Sequence, residues 1–406
     1  MASRLSSADV LLIGGGVASA RCARTLRRRG FTGSIVLVGE EPALPYNRPP
    51  LSKELLRGEV DPALIAAEPA EWYDRHHVQL WTDVAVVELD VGGRLARLDD
   101  GRAISFERCL IATGAEPRIP RIDGAPNAHT LRTAEDAIEI HRQATLVGDG
   151  APVVIVGGGF IGVEVAASLA AIGSSVTLLE RSAWLWAGSL GEALSSWACG
   201  HLAALGVDPR FGATASRLDG RSAWIGEQAL PAGLVVAGVG VRPREDLAAA
   251  AGLDVADGVL VDGARSAATG IFAAGDVARA PHPLADGERI RVEHWHAARD
   301  GGEAAALGML ALDAPPPRAP WVYTEFAGQL VDIVGWAPDR DEERVLGDPR
   351  MDSFAVAYLR GDRVAQLAVV NGWLPVEQAR AFVESRATAT ELARLVHEAP
   401  HPGAAN

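Results

Sequence analysis

Two apolar runs, each ending in a glycine-rich or acidic segment, organise the start of the chain. Val10–Ile13 is uniformly apolar and leads into GGGVAS at residues 14–19, after which small apolar residues and arginines alternate at helical spacing. A second apolar run, Ile35–Val38, ends at Glu40. The pattern predicts a strand, a helix that ends at Gly30, where a left-handed cap favours glycine, and a second strand.

The same pattern returns later in the chain. Val153–Val156 leads into GGGFIG at residues 157–162, a predicted helix to Ile172, and a strand Val176–Leu179 that ends at Glu180. Each copy is a G-x-G-x-x-G/S turn between a strand and a helix, with an acid after the next strand, which is typical of a dinucleotide-binding βαβ unit. Two copies predict two bound dinucleotides, or one site and a relic.

Each position of these turns has a physical task. The first glycine forms the tight turn, the second lets a pyrophosphate approach the backbone, and the third, small residue lets helix and strand pack closely. The helix N-terminus favours phosphate, and the acid accepts ribose hydroxyls. The predicted dinucleotide ligands are Gly14, Gly16, Ser19 and Glu40 in the first unit, and Gly157, Gly159, Ile161, Gly162 and Glu180 in the second.

Glu180 is the clue to which nicotinamide dinucleotide binds. A carboxylate at this position hydrogen-bonds the ribose diol of NAD and repels the extra phosphate of NADP. Arg181 follows and partly offsets this repulsion, but no further basic cluster is present. The sequence therefore favours NADH over NADPH.

Composition narrows the class of protein. The 406 residues suffice for two or three domains, and a formal net charge of −14 argues against nucleic acid as a partner. The three cysteines are far apart and form no CxxC pair, which is typical of a reducing compartment and gives no redox-active disulfide. No apolar run is long enough to cross a bilayer, and His294 and His296 flank Trp295 without further residues at metal-ligand spacing. We expect a cytoplasmic protein without a metal site or a membrane partner.

Further motifs follow the first turn in a fixed order. They are PYNRPPLSK at 45–53, IATG at 111–114, the second GGGFIG, GIFAAGDV at 270–277 and RVEHW at 291–295. In this combination the sequence resembles, from about Ala8 to about Val383, the FAD-dependent ferredoxin reductases of oxygenase systems, the family of putidaredoxin reductase and the biphenyl dioxygenase reductases. The resemblance implies FAD at the first unit and NAD(P)H at the second. It also implies FAD contacts from Arg48, Lys53, Thr113, Gly114, Asp276, Glu293 and Trp295, and an NAD contact at Gly240.

Lys53, Glu164 and Trp295 are the predicted catalytic residues. Glu164 is the only charged residue in 153–179, and a buried carboxylate without a partner costs on the order of several kcal/mol. The resemblance supplies Lys53 as the partner and implies that it lies near flavin N5. The alternatives are a purely structural ion pair and an acid favoured by the helix dipole at a helix start. Trp295 begins a predicted helix to Leu310 whose N-terminal N–H groups would stabilise reduced flavin, with a core aromatic residue as the alternative.

The resemblance also predicts the fold class. We expect an α/β protein with two Rossmann-like dinucleotide-binding domains, in a glutathione-reductase-like architecture, and a C-terminal α+β domain. The predicted boundaries are 6–117 and 246–318 for the discontinuous FAD domain, 118–245 for the NAD(H) domain, 321–396 for the C-terminal domain at the flavin and acceptor face, and 397–406 for a flexible tail. In the C-terminal domain we predict strands at Leu330–Val334, Phe354–Leu359 and Val364–Val369 and a helix from Val376.

Departures from the family pattern gather on the acceptor side. Family members commonly read PWFWSDQ where this chain has PWVYTEF at 320–326, and the usual Arg-Pro-Asn becomes Arg-Pro-Arg at 242–244. Tyr323 and Trp373 are candidates for the flavin edge, and ordinary core aromatics are the alternative.

These features predict an NADH:ferredoxin reductase that passes electrons through FAD to a 2Fe–2S ferredoxin serving an oxygenase, as a monomer or a homodimer. The alternatives are a rubredoxin reductase, an NADH oxidase or quinone reductase-type flavoenzyme, and an NADH-binding redox sensor. Thiol-reducing relatives need a cysteine beside the flavin, and residues 44–53 contain none. The arginines of Arg21–Arg29 predict either a docking patch for an acidic ferredoxin or a solvated helix face.

Overall fold

The computed structural model describes residues 5–398 of the chain. The strands are β1 (Leu5–Ile13), β2 (Ile35–Val38), β3 (Val78–Trp81), β4 (Val86–Asp90), β5 (Leu95–Leu98), β6 (Ala103–Ile111), β7 (Ala115–Pro117), β8 (Pro152–Val156), β9 (Ser175–Glu180), β10 (Asp208–Phe211), β11 (Arg217–Leu218), β12 (Ser222–Ile225), β13 (Gln228–Pro231), β14 (Leu234–Ala237), β15 (Val241–Pro243), β16 (Val259–Leu260), β17 (Ser266–Ala268), β18 (Ile271–Ala273), β19 (Ala278–Pro281), β20 (Arg289–Ile290), β21 (Trp321–Phe326), β22 (Gln329–Gly335), β23 (Glu342–Asp348), β24 (Ser353–Arg360) and β25 (Arg363–Val370). The α-helices are α1 (Val17–Arg28), α2 (Ala70–Arg75), α3 (Ala134–Val147), α4 (Phe160–Ala171), α5 (Glu192–Ala204), α6 (Asp246–Ala250), α7 (Trp295–Met309), α8 (Val376–Glu384) and α9 (Ala389–Glu398). Of the helices described, none is both long and apolar enough to cross a membrane.

The first of two compact units carries the first glycine-rich turn. It consists of the residues up to Arg48, Pro62–Glu116 and Arg242–Pro317. Its sheet has the order β17-β18-β6-β1-β2-β3, with β4 and β5 as an antiparallel extension. β1 pairs in parallel with β2 and β6, and Ile13 at its end lies beside the last residue of each. The segments that follow these three strands therefore meet at one edge of the sheet, where ligands bind in open α/β sheets.

Helix α1 is fixed to this unit by close packing against α7. It buries Cys22 and Leu26, and a Cβ on Gly302 of α7 would clash with the carbonyl oxygen of Ala18. The helix ends at Arg28, and Gly30 follows with φ +83°, which confirms the predicted glycine at the helix end.

The second unit carries the other glycine-rich turn. It consists of Pro49–Asp61, Pro117–Val241 and the residues from Arg318 onward. A parallel sheet of order β10-β9-β8-β14 holds the turn between β8 and α4, and Val156 pairs with Leu179 near the ends of β8 and β9. A five-stranded antiparallel sheet, β21-β22-β25-β24-β23, follows, with α8 packed on β22 and β25.

The observed bounds of the helices and strands can be compared with those predicted from the sequence. The fold class is confirmed, as are the three C-terminal strands (within β22, β24 and β25) and the helix from Val376. The sequence analysis did not predict β21 or β23; β23 is an edge strand that buries only Leu346, so its pattern looks like a loop. Helix α9 extends two residues into the predicted tail 397–406, and the rest of that tail lies outside the described residues. The three-domain boundaries stay a prediction.

Candidate active site

The first glycine-rich turn has the shape that a pyrophosphate requires. Gly14 has φ +117°, and a Cβ there would clash with the carbonyl oxygen of Ala112. A Cβ on Gly16 meets no described atom within 4 Å, so the backbone beside it is open. Ser19, near the start of α1, is fully buried, and its hydroxyl has no hydrogen-bond partner among the described residues. The open backbone and the unsatisfied buried hydroxyl fit the pyrophosphate of FAD.

Glu40, the acid after β2, is held by an arginine that the sequence analysis did not select. Arg244 Nη2 lies 2.8 Å from Glu40 Oε2, and Nη1 donates to Oε1. These hydrogen bonds lower the pKa of Glu40, although partial burial opposes the shift. The N–H of Arg244 donates to the carbonyl oxygen of Gly114 at 2.9 Å, and the Thr113 hydroxyl donates to the carbonyl oxygen of Arg244 at 2.7 Å. Thr113 and Gly114 therefore act on Glu40 through Arg244.

Arg48 is engaged with an acidic neighbour in the same unit. Its Nη2 donates to Glu41 Oε1 at 2.8 Å, and the Tyr46 hydroxyl donates to the other oxygen at 2.5 Å. Burial disfavours the Arg48 cation, but Tyr46, Glu41 and Asp276 together outweigh burial and raise the pKa of Arg48. Asp276 follows Gly275, whose φ of +78° makes the turn after β18. Arg48 and Asp276 are thus electrostatically coupled, and their contacts with FAD stay a prediction.

Trp295 is the first residue of α7, as predicted. Its indole N–H donates to Asn47 Oδ1 at 2.7 Å, and the side chain is only partly buried. Glu293 pairs with Arg291, and His294 caps α7 by accepting a hydrogen bond at 3.3 Å from a main-chain N–H of the first turn. The indole is therefore fixed in place without being part of the hydrophobic core, and its role toward flavin stays a prediction.

The second glycine-rich turn shares two features with the first, a left-handed first glycine and an open backbone at the third residue. Gly157 has φ +109°, and a Cβ there, or on Gly162, would clash with a neighbouring carbonyl oxygen. A Cβ on Gly159 would meet nothing described closer than 3.9 Å, so this backbone is open too. The remaining predicted positions are Ile161, which is 41% exposed, and Gly240, which has φ +97°. The turn fits the pyrophosphate of a second dinucleotide.

Glu180 faces this turn from the end of β9. Its Oε2 accepts a hydrogen bond from the N–H of Gly158, and its Oε1 accepts one from the N–H of Ser182, both at 2.7 Å. Each carboxylate oxygen keeps a further lone pair for a ribose hydroxyl. Arg181 is exposed and makes no hydrogen bond or ion pair with the residues that the structure describes.

Lys53 and Glu164 form a buried ion pair in the second unit. Lys53 Nζ lies 2.8 Å from Glu164 Oε2, and the side chains are 8% and 5% exposed. Lys53 also donates to the carbonyl oxygen of Pro49 at 3.1 Å. Glu164 is the fifth residue of α4, the helix that begins at the second glycine-rich turn. The pairing that the resemblance implied is therefore confirmed, while the catalytic role of the pair stays a prediction.

Two hydroxyl groups that the sequence analysis did not find complete this cluster. The Ser52 hydroxyl donates to Glu164 Oε2, and the Thr324 hydroxyl donates to Oε1 at 2.7 Å. Their sequence separations from Glu164 are 112 and 160 residues, which no local pattern reveals. One signal was available for the cluster itself, because Lys53 is the only lysine among the 38 lysine and arginine residues. All the remaining residues of this set are arginine, so the single lysine indicates that this site needs a compact ammonium group in place of a guanidinium group.

A family model described as pyridine nucleotide-disulphide oxidoreductase matches residues 8–302. The chain belongs to the pyridine nucleotide-disulphide oxidoreductase family. Membership confirms the predicted enzyme class and the predicted cofactors FAD and NAD(H), for which the two turns have room.

Relatives of this oxidoreductase match it over nearly its whole length. The ferredoxin–NAD(+) reductase component of the p-cumate 2,3-dioxygenase system of Pseudomonas putida is 36% identical, over 93% of this chain and 94% of that protein. Rubredoxin–NAD(+) reductase of Pseudomonas putida is 30% identical, over 91% of this chain and 97% of that protein. Putidaredoxin reductase, in a covalent complex with putidaredoxin, has a TM-score of 0.89 at 28% identity, over 97% of this chain and 98% of that chain. The resemblance seen in the sequence is confirmed.

The cysteines of the oxidoreductase are free thiols. Cys22 on α1 and Cys109 on β6 are fully buried, as expected for core residues, and burial raises the pKa of both thiols. Cys199 on α5 is half-buried. In the described part of the chain, no group of three or more His, Cys, Asp or Glu side chains is arranged to hold a metal ion.

Two aromatic residues of the acceptor side have different surroundings. The ring centre of Tyr323 lies 5.9 Å from Lys53 Nζ. Burial, followed by the charge of Glu164, raises the pKa of Tyr323 to about 12. Trp373 lies in the turn after β25 and is half-buried. Tyr323 therefore borders the ion pair, and a position of either residue at the flavin edge stays a prediction.

The arginine-rich face of α1 is largely engaged within its own unit. Arg21 pairs with Glu303, Arg24 pairs with Glu68, and Arg27 donates to main-chain carbonyl oxygens. Arg28 also pairs with Glu303, at 3.4 Å, and Arg29, which follows the end of α1, is exposed. Most arginines of this helix face are therefore engaged within the unit, and a docking patch for a ferredoxin stays a prediction.

Proposed function

We propose that this oxidoreductase is the NADH:ferredoxin reductase component of an oxygenase system and passes electrons from NADH through FAD to a 2Fe–2S ferredoxin. Relatives named as ferredoxin–NAD(+) reductase components, matched over more than nine-tenths of both chains, support the assignment. The geometric observation that carries it is the Lys53–Glu164 pair, which α4 fixes directly to the second glycine-rich turn.

The proposed division of labour follows from the two turns. Gly14, Gly16 and Ser19 would hold the FAD pyrophosphate and Glu40 the adenosine ribose, whereas Gly157, Gly159 and Glu180 would hold NADH. When bound, FAD accepts a hydride from NADH and releases the electrons one at a time. The protein's own contribution is electrostatic. Lys53 supplies a fixed positive charge that favours the reduced cofactor, and the N-terminus of α7 at Trp295 supplies a partial positive charge.

The arrangement of cysteines favours electron transfer over thiol chemistry. A thiol- or persulfide-reducing enzyme needs a reactive thiolate, and exposed thiols of low pKa supply it. Cys22 and Cys109 are buried with raised pKa values, and Cys199 is half-buried, also with a raised pKa caused by burial. The cysteines therefore argue against a thiol or persulfide as the acceptor.

Rubredoxin is the second acceptor to consider, because rubredoxin–NAD(+) reductase of Pseudomonas putida is among the relatives. Two alternatives remain. One is an enzyme that reduces oxygen or a quinone directly, and the other is a sensor that binds NADH without rapid turnover. The proposal includes a cytoplasmic location, since NADH is the electron donor.

The decisive experiment is anaerobic reduction of the FAD-loaded protein with NADH, followed by timed flavin reoxidation with putidaredoxin, a rubredoxin or oxygen. We expect rapid reoxidation by putidaredoxin and slow reoxidation by oxygen. Reoxidation by oxygen alone would remove the ferredoxin assignment, and slow reduction by NADH would favour the sensor. Lys53→Met should lower the limiting rate of flavin reduction on the order of 10- to 100-fold. Arg57→Met, which changes the next basic residue along the chain, should not.

A further inference from the structure

The carboxylate of Glu164 accepts more hydrogen bonds than an ion pair requires. Oε2 accepts from the Ser52 hydroxyl and from Lys53 Nζ, whereas Oε1 accepts from the Thr324 hydroxyl at 2.7 Å and from the N–H of Glu325 at 3.3 Å. The four donors come from two segments of the second unit. Ser52 and Lys53 lie at the end of the Pro49–Ser52 turn, and Thr324 and Glu325 lie on β21.

All the side chains of this cluster are removed from water. Taken as whole residues, Ser52, Lys53, Glu164 and Thr324 are 2%, 6%, 4% and 0% exposed. In such surroundings each hydrogen bond is electrostatically stronger than in water, and a missing donor leaves the carboxylate undersatisfied. With both oxygens engaged on opposite sides, the carboxylate has one orientation, and the ammonium group that it binds has one position.

We propose that Thr324 and Ser52 are positioning residues that fix Lys53 by holding Glu164 in one orientation. The proposal rests on the proposed function, in which the charge of Lys53 favours the reduced cofactor. In this proposal the C-terminal sheet helps to position the ion pair, because the hydroxyl of Thr324 on β21 donates to Glu164. Titratable and charged residues near the pair include Tyr323, whose ring lies 5.9 Å from Lys53 Nζ, and Glu325, whose main-chain N–H donates to Glu164.

The sequence provides matched variants at the same position. Thr324→Val keeps the shape of the side chain and removes the hydroxyl, whereas Thr324→Ser keeps the hydroxyl and has the residue of the family pattern. Because Thr324 acts on Lys53 only through Glu164, we expect only part of the free energy of this hydrogen bond to reach the rate, a change of about 2- to 10-fold.

The first measurement uses the fact that the chain has one lysine. Brief treatment of the FAD-loaded protein with acetic anhydride, followed by mass spectrometry, gives the acetylation rate of Lys53 relative to the α-amino group. We expect Thr324→Val to raise this ratio about 2- to 10-fold, and Thr324→Ser to stay within about twofold of the wild type. The measurement requires no turnover, so it decides the proposal even if NADH does not reduce the protein and the proposed function fails.

The second measurement is anaerobic stopped-flow reduction of bound FAD by NADH. Thr324→Val should lower the limiting rate about 2- to 10-fold without changing the NADH concentration that gives half of it, and Thr324→Ser should restore the rate. An acetylation ratio at the wild-type value, a wild-type limiting rate, or an equal loss in Thr324→Ser would overturn the proposal. If Thr324→Val does not fold, Ser52→Ala is tested by the same two measurements, with the same expectations.

Discussion

Arg244 holds the carboxylate of Glu40 with two hydrogen bonds across 204 residues of sequence. The two side chains are 38% and 47% exposed, so solvent screens the pair and its free energy is small, about 0–1 kcal/mol. Its geometry is nevertheless specific, because the backbone of Arg244 is hydrogen-bonded to Thr113 and Gly114. Arg244 therefore orients the acid that we expect to accept the adenosine ribose of FAD.

Arg244→Asn, which introduces the residue of the family pattern, should weaken FAD binding about two- to fivefold, because Glu40 loses its fixed orientation. Titration of FAD-free protein with FAD, followed by flavin fluorescence, measures this change. Arg242→Asn is the matched control, because Arg242 pairs with Glu116 and Asp246 and not with Glu40. Tighter binding of FAD by Arg244→Asn would show that Arg244 competes with the ribose for Glu40.

The same pair predicts how FAD binding depends on pH. Arg244 lowers the pKa of Glu40 from its ordinary value of 4.5. The stabilisation is therefore fully present above that value and is lost as the pH falls through the lowered pKa. FAD release on acidification should begin at a higher pH in Arg244→Asn than in the wild type. Identical release curves would mean that the charge of Glu40 does not contribute to FAD binding.

Lys53→Arg should behave as a disruptive change although it conserves charge. The ammonium group has two described acceptors in this buried site, Glu164 and the carbonyl oxygen of Pro49, and a guanidinium group has five N–H donors in a larger plane. We expect a loss of about 1–3 kcal/mol in the free energy of unfolding, measured by urea denaturation of the FAD-loaded protein. Arg57→Lys, at a more exposed site, is the control. Wild-type stability in Lys53→Arg would mean that the site does not select lysine.

Gly162→Ala should damage the second turn. A Cβ at this position would clash with the carbonyl oxygen of Gly157, so α4 must shift away from β8. We expect the free energy of unfolding to fall by about 1–3 kcal/mol and NADH binding to weaken. Gly200→Ala on α5 is the control, because a Cβ there meets no described atom within 4 Å, and it should stabilise the protein by about 0.5–1 kcal/mol. Equal stabilities of the two variants would contradict this interpretation.

Local chemistry explains which parts of the fold and site could be predicted from the sequence. Gly14, Gly157 and Gly162 have no room for a Cβ, and Glu180 accepts a hydrogen bond from an N–H of the second turn, so local spacing was enough to predict this geometry. Strand β1 was predicted from Val10 but begins at Leu5, because its first residues pair with β6. The hydrophobicity of residues 5–8 does not reveal this pairing.

The contacts that the sequence could not reveal are long-range hydrogen bonds between ordinary polar residues. Thr324 contacts Glu164 across 160 residues, and Arg244 contacts Glu40 across 204. A threonine in a strand and an arginine in a loop are common at solvent-exposed positions, so residue type gave no reason to select them. Their departure from the family pattern was noticed in the sequence, but only the fold shows what each side chain touches.

The choice between NADH and NADPH gives the last prediction. We expect the carboxylate of Glu180 to repel a 2′-phosphate, and Arg181 beside it is exposed and unengaged among the described residues. Glu180→Ala should therefore raise kcat/KM for NADPH relative to NADH on the order of 10- to 100-fold, because a like-charge contact is removed and a cation remains. Steady-state kinetics with both dinucleotides measures the ratio. In the double variant Glu180→Ala with Arg181→Ala, most of the gain should disappear; if it persists, Arg181 does not contact the phosphate, and if the single variant gains nothing, Glu180 does not determine the preference.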